Sequence, residues 1–172
     1  MSRIKIFSLL SPRLHVLSIL DIDLEALCRQ GICGIMLDLD NTIVQRDLER
    51  FSEDTLSWIK EVKKRGFKVC IISNNQPKRV YPLAQEVGLP AVCQAIKPLK
   101  TPFHQALEIL GTMVQETAII GDQIFTDIFG GNRLGLYTIL VTPIPGKEFW
   151  ATRLINRKLE KIILWWIKKK NK

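Results

Sequence analysis

Long apolar runs are missing from this sequence. No stretch reaches the roughly 18 uninterrupted apolar residues that read as a membrane-spanning helix, so none is expected. Histidine is almost absent. His15 and His104 stand far apart, which leaves no readable histidine-based metal site. The four cysteines, Cys28, Cys33, Cys70 and Cys93, form no close Cys-x-x-Cys pair. They are expected to be reduced and mostly buried, in a reducing compartment. There is no internal repeat and no low-complexity segment. The opening residues have too short an apolar run, and no small-residue cleavage site, to read as a secretory signal.

What is present suits one domain. The 172 residues are 47% apolar, enough for a sizeable core and too much for a disordered chain. The net charge of +8 is unevenly placed: residues 147–172 carry +7, the first 146 only +1. The basic character therefore belongs to the tail, and what it attracts is anionic: a membrane surface, a nucleic acid or an acidic partner.

The middle of the chain alternates between two periodicities. Short apolar runs at 33–38, 67–73, 117–120 and 136–142 predict buried strands, with a shorter one near Ala91–Gln94. Between them lie helical stretches. One runs over 53–65, with Ser52 as N-cap and Gly66 as stop. The next opens at Pro77 and ends at Gly88. A third takes Thr101 as N-cap and Pro102 in its first turn, and closes at Gly111. The last begins near Ile124 and is expected to break at Gly130-Gly131. Strand–helix alternation with short joins predicts an α/β fold with a doubly wound parallel sheet. Ligands of such sheets bind beyond the carboxyl ends of the strands. Asp38, Ser73 and Gly121-Asp122 sit at those ends.

Phosphoryl transfer needs carboxylates for a hard cation, cations and N–H donors for phosphate oxygens, a nucleophile, and an acid for the leaving group. The chain offers Asp38 and Asp40 around one residue, Ser73 with Asn74, Lys97 before Pro98, and Asp122 with Asp127. Alone, Asp38 and Asp40 could be a cap or a turn. Together the four segments resemble the motifs of the haloacid dehalogenase superfamily. Asp38-Leu39-Asp40-Asn41-Thr42 is similar to its Asp-x-Asp-x-Thr motif. Ile71-Ile72-Ser73-Asn74 is similar to the second motif, Lys97-Pro98 to the third, and Gly121-Asp122 through Asp127 to the fourth.

The resemblance implies a Rossmann-like core and a set of roles. Asp38 would be nucleophile and magnesium ligand. Asp40 would be acid, then base, with its carbonyl on magnesium. Ser73 and the Asn74 N–H would hold phosphoryl oxygens. Lys97 would neutralise charge, Asp122 would ligate Mg²⁺, and Asp127 and Thr42 would support the site. The second aspartate argues for a phosphatase over a dehalogenase.

Only 30 residues separate Thr42 from Ser73, too few for a cap domain. An open site is expected, with at most a small hairpin from about Ile43 to Arg50. Residues 147–172 place apolar and basic side chains at helical spacing, which suits a basic amphipathic helix on anionic lipid or one packed on the sheet. The expected division is thus 1–146, a phosphatase domain with an N-terminal extension, and 147–172, that helix.

Leu10-Ser11-Pro12, Ile19 to Leu24, Gly31-Ile32 and Lys97-Pro98-x-Lys100 further resemble the capless phosphatidylglycerophosphate phosphatases. That likeness implies an anionic phospholipid substrate, with Lys100 near the head group, and a protein peripheral to a membrane, cytoplasmic or organellar. Nucleic acid is not the expected partner. The alternatives are a soluble or macromolecular phosphomonoester as substrate, or a non-catalytic module binding RNA or an acidic partner. Asp21 and Asp23 are read as caps of a helix beginning near Leu24, His104 as a surface residue, and Lys78 and Arg79 either as crevice cations or as a solvated helix start.

Overall fold

Gly34–Leu37 (β2) and Thr117–Gly121 (β5) are buried along their whole lengths. Strands covered on both faces belong in the middle of a parallel sheet. In the computed structural model, which describes residues 3–145, they pair in parallel with Gly34 opposite Thr117 and Leu37 opposite Ile120. Lys68–Ile72 (β3) lies on the other side of β2, and Ala91–Val92 (β4) beyond it. Tyr137–Val141 (β6) lies beyond β5, followed by Leu14–Val16 (β1). The six strands run β1-β6-β5-β2-β3-β4, all parallel. The order changes direction at β2, so a crevice opens at its carboxyl end, where ligands of such folds bind.

Side chains alternate across the strands. Ile35, Leu37, Val69, Ile71, Ala118 and Ile120 point into one core; Met36, Cys70, Ile72 and Ile119 point into the other. The first core is covered by Glu53–Lys64 (α3), through Trp58, Ile59 and Val62, and by Pro77–Glu86 (α4), through Val80 and Leu83. The second is covered by Lys100–Leu110 (α5), through Phe103, Ala106, Leu107 and Leu110. Each fully buried side chain of this size contributes about 1.5–3 kcal/mol. Ser52 caps α3, its hydroxyl accepting from Thr55 N at 3.1 Å. Asp23 caps Leu24–Arg29 (α2), accepting from Ala26 N at 2.9 Å.

Several local expectations are corrected. The N-terminal extension, for which no element is expected before residue 24, carries a helix, Arg3–Leu10 (α1), followed by β1; at three residues β1 is too short to leave a periodic pattern. Cys33 precedes β2 and is exposed, as is Cys28, while Cys93 is half-buried; only Cys70 is buried, so the thiols are not mostly interior. α5 starts at Lys100, with Leu99 in the cap position and no side-chain cap, so Thr101 is already helical. Residues 43–50 are irregular and make a single bridge, Asp40 to Val44, rather than a hairpin.

Gly130-Gly131 does not break its helix. After a π-helical turn, Ile124–Ile128, both glycines sit inside Phe129–Leu134 (α6). Their value is close approach: a Cβ on Gly130 would lie 2.6 Å from Phe103, and one on Gly131 2.5 Å from Ile119. Among the described residues no helix is long and apolar enough to cross a membrane. The expected tail helix, 147–172, lies outside the described residues.

Candidate active site

The site begins where the ladder of β2 runs out. Asp38 N–H still donates to Ile120 O at 2.9 Å, which anchors the Asp38 backbone to β5. The chain then turns sharply. Asn41 takes the left-handed conformation at φ 60, which asparagine tolerates better than most residues. Its N–H donates to Val44 O at 2.7 Å, and its side-chain oxygen accepts from Arg46 N at 3.2 Å. This turn brings Thr42 back beneath Asp38. The buried Thr42 hydroxyl lies 3.3 Å from Asp38 Oδ2 and 3.4 Å from Asp122 Oδ1.

Lys97 enters from the loop after β4. Its Nζ lies 2.6 Å from Asp38 Oδ1 and 2.6 Å from Asp127 Oδ1, and its side chain is only 2% exposed. Asp127 is fully buried on the π-helical turn. It reciprocates with Gln123: Asp127 N–H donates to Gln123 O at 3.0 Å, and Gln123 N–H donates to Asp127 Oδ2 at 3.1 Å. Gly121 makes room for it, since a Cβ there would lie inside the Asp127 carboxyl.

Ser73, buried at the end of β3, accepts from Asn75 N–H at 3.2 Å. Asn74 is exposed, and its side-chain oxygen accepts from Lys97 N–H at 2.8 Å, fixing the backbone that carries Lys97. The Asp40 side chain is somewhat more exposed than that of Asp38, 13% against 8%. One of its oxygens accepts from Asn75 Nδ2. The other accepts from Arg79 Nη2 at 3.2 Å and Nε at 3.4 Å. Arg79 also donates to the carbonyls of Gln45 and Leu48, tying the loop after β2 to α4. Asn75 is not among the residues that the motifs single out; its place two residues after Ser73, in the turn before Pro77, is the signal the sequence carries for it. Arg79 turns inward, while its neighbour Lys78 and the site candidate Lys100 are exposed.

Charge in the crevice is unbalanced. Oxygens of Asp38, Asp122 and Asp127 all lie within 4.8 Å of one another, and Lys97 is the one buried cation among the described residues. Burial works against the Lys97 ammonium, but Asp127 and Asp38 outweigh it and hold its pKa above the usual lysine value. Burial, then Asp38 and Asp127, push Asp122 up to about 9. Burial also lifts Asp127, to about 6, against the pull of Lys97. The shared ion pair thus favours the lysine's charge while Asp127 stays strained. These directions are compatible, because three carboxylates share one ammonium. An added divalent cation would remove the imbalance, and hard oxygen donors are what such a cation takes. The donor set therefore fits a metal.

Residues 35–135 match the family described as haloacid dehalogenase-like hydrolase. The chain belongs to the haloacid dehalogenase-like hydrolases. Within that family, it is 37% identical to the probable phosphatase YqeG of Bacillus subtilis over 159 residues, covering 92% of each chain. It is 26% identical to the chloroplastic/mitochondrial phosphatidylglycerophosphate phosphatase 1 of Arabidopsis thaliana over 168 residues, covering 92% of this chain and 48% of that protein. The fold matches the cobalt-bound deoxy-D-mannose-octulosonate 8-phosphate phosphatase of Haemophilus influenzae with a TM-score of 0.54 at 15% identity, covering 65% of this chain and 69% of that one. This haloacid dehalogenase-like hydrolase is a phosphatase, and no cap domain interrupts its described residues.

Proposed function

We propose that this phosphatase is a magnesium-dependent phosphomonoester hydrolase that works through an aspartyl-phosphate on Asp38, and that its substrate is phosphatidylglycerophosphate at a membrane surface. The observation that carries the catalytic part is the shared contact of Lys97 with Asp38 and Asp127, beside Asp122.

Magnesium, held by Asp38, Asp122 and the Asp40 carbonyl, would supply positive charge for the phosphoryl oxygens. Lys97 keeps the Asp38 carboxylate oriented and adds a second positive charge. A carboxylate oxygen of Asp38 attacks phosphorus and the ester P–O bond breaks. The departing oxygen takes its proton from Asp40, which Asn75 and Arg79 hold in place. Asp40 then accepts a proton from water, whose oxygen attacks phosphorus; the bond to Asp38 breaks and inorganic phosphate leaves. The Ser73 hydroxyl and the Asn74 N–H are the donors for phosphoryl oxygens. Asp127 and Thr42 hold Lys97 and Asp38 in register. Lys100 is the cation for a more distant anionic group.

The lipid substrate draws support from the lack of a cap, which leaves the crevice open to bulky head groups, and from the likeness to the plant enzyme. In this reading residues 1–146 are the catalytic domain, and the basic charge of 147–172 favours an anionic bilayer. The test is phosphate release from phosphatidylglycerophosphate in mixed vesicles with Mg²⁺, with Asp38→Asn as control. Release by the wild type alone is expected. Failure on the lipid with good turnover of soluble phosphomonoesters would favour the open-site alternative of a soluble or macromolecular substrate.

A further inference from the structure

Eight large apolar side chains are exposed among the described residues; Ile109 and Met113 lie at the far end of α5 or just beyond it, and Leu20 in the turn after β1. Leu17, Leu48, Ile96 and Leu99 all follow strand carboxyl ends, and Tyr81 lies in the second turn of the helix after β3. All therefore stand on the edge of the sheet where the active site opens. Three of them follow the neighbouring strands β3 and β4, on one side of its mouth: Tyr81 is 55% exposed, Ile96 67% and Leu99 54%. The loop after β3, which leads into α4, and the loop after β4, which carries Ile96 and Leu99, are tied together. Gln94 N–H donates to Asn75 O at 2.9 Å, Ala95 N–H donates to Ser73 O at 3.0 Å, and the Gln94 and Gln76 side chains bond at 2.9 Å.

Ile96 is held out deliberately. Its φ of 50 lies in the left-handed region, an outlier for a β-branched residue. The hydrogen bonds on either side, at Ala95 and Lys97, enforce it. Ile96 and Leu99 flank Lys97, so the apolar pair borders the catalytic loop itself. Charge points the same way. Residues 73–81 and 93–104 contain no aspartate or glutamate, and two of their lysines, Lys78 and Lys100, are exposed beside the apolar trio.

Asp47 and Glu49 are exposed on the neighbouring loop that Arg79 ties to α4, but within the two segments the apolar side chains are flanked by lysines alone, which suits the surface of an anionic bilayer, where apolar side chains reach the acyl boundary and lysines meet phosphates. We propose that Tyr81, Ile96 and Leu99, flanked by Lys78 and Lys100, form the face that docks on an anionic bilayer and presents the crevice to phosphate groups at that surface. The inference rests on the phosphatase reading above but not on the identity of the lipid.

The test uses the full chain with Ile96→Asn and Leu99→Ser, singly and together, and sedimentation with vesicles of phosphatidylcholine containing phosphatidylglycerol. Asparagine suits the left-handed region, so Ile96→Asn is expected to raise the melting temperature while weakening vesicle binding. A merely structural role for Ile96 would move the two together. The double variant is expected to bind vesicles roughly tenfold more weakly or worse, from loss of two exposed apolar anchors. It should turn over para-nitrophenyl phosphate in solution at the wild-type rate. Wild-type vesicle affinity in the folded double variant would overturn the proposal, as would a wild type that binds no anionic vesicles. A wild type that binds through this face yet releases no phosphate from phosphatidylglycerophosphate would leave the docking face standing and sink the substrate reading alone.

Discussion

Replacing Lys97 with methionine keeps most of the side-chain volume and removes one ammonium. That ammonium lies 2.6 Å from both Asp38 and Asp127, and the side chains involved are 2%, 8% and 0% exposed. Water cannot take over its role. Deleting one partner of a buried ion pair generally costs about 3–5 kcal/mol, because an uncompensated charge stays behind. For a domain of this size that is roughly 6–20 °C in melting temperature. The loss should depend on pH. Asp127 already titrates at about 6 with the lysine present, so the remaining carboxyls can relieve the variant by taking up protons in acid. Urea unfolding followed by circular dichroism, in chelator at pH 8 and again at pH 5, measures both effects. The full loss is expected at pH 8 and a smaller one at pH 5. Adding Asp127→Asn should return most of the stability but none of the activity. A Lys97→Met protein within about 1 kcal/mol of wild type at pH 8 would refute the reasoning, because a buried pair so weak falls outside the expected range.

Gly121→Ala places a Cβ 2.6 Å from that of Asp127 and must push the Asp127–Lys97 contact out of register; steady-state assay is expected to show kcat down by about a hundredfold or more, as misplacement near 1 Å can cause. Asn75→Ala removes a donor to Asp40 and is expected to lower kcat roughly tenfold to a hundredfold with little change in KM, the pattern of a group that matters in the transition state. Without metal, Asp122 near 9 and Asp127 near 6 lie above their unfolded values, so the folded form retains protons that the unfolded chain has released. The contribution of these two carboxyls to stability should be full at and below about pH 4 and be lost as pH rises through about 6 and toward 9. Mg²⁺ binds the deprotonated carboxylates, so scanning fluorimetry should show a larger Mg²⁺-induced rise in melting temperature at pH 8 than at pH 5.

The candidate site was legible because its parts sit at strand ends. Each buried run stopped at a polar residue, and a parallel sheet brings such ends to one edge; Asp38, Ser73 and Asp122 could be placed together from that alone. What pattern could not show was contact. Asn75 and Arg79 meet Asp40 only because β3 lies beside β2, and the loop after β2 folds over α4. Gly130-Gly131 reads as a breaker when a helix is imagined in isolation. Against Phe103 and Ile119 the same pair is what lets α6 approach α5 and the sheet. The short edge strand near Ala91–Gln94 was legible and forms at Ala91–Val92, whereas β1, of three residues, gains definition from its neighbour rather than from any periodicity of its own.

The most direct measurement of the central claim is to trap the phosphoryl group. Rapid acid quench of the Asp40→Asn enzyme with Mg²⁺ and excess substrate, then mass spectrometry of its peptides, reads where phosphate is attached. Nucleophilic catalysis by Asp38 predicts a phosphorylated peptide carrying Asp38, absent from Asp38→Asn/Asp40→Asn. Turnover with phosphate on no peptide at any quench time, or on a peptide lacking Asp38, would contradict it.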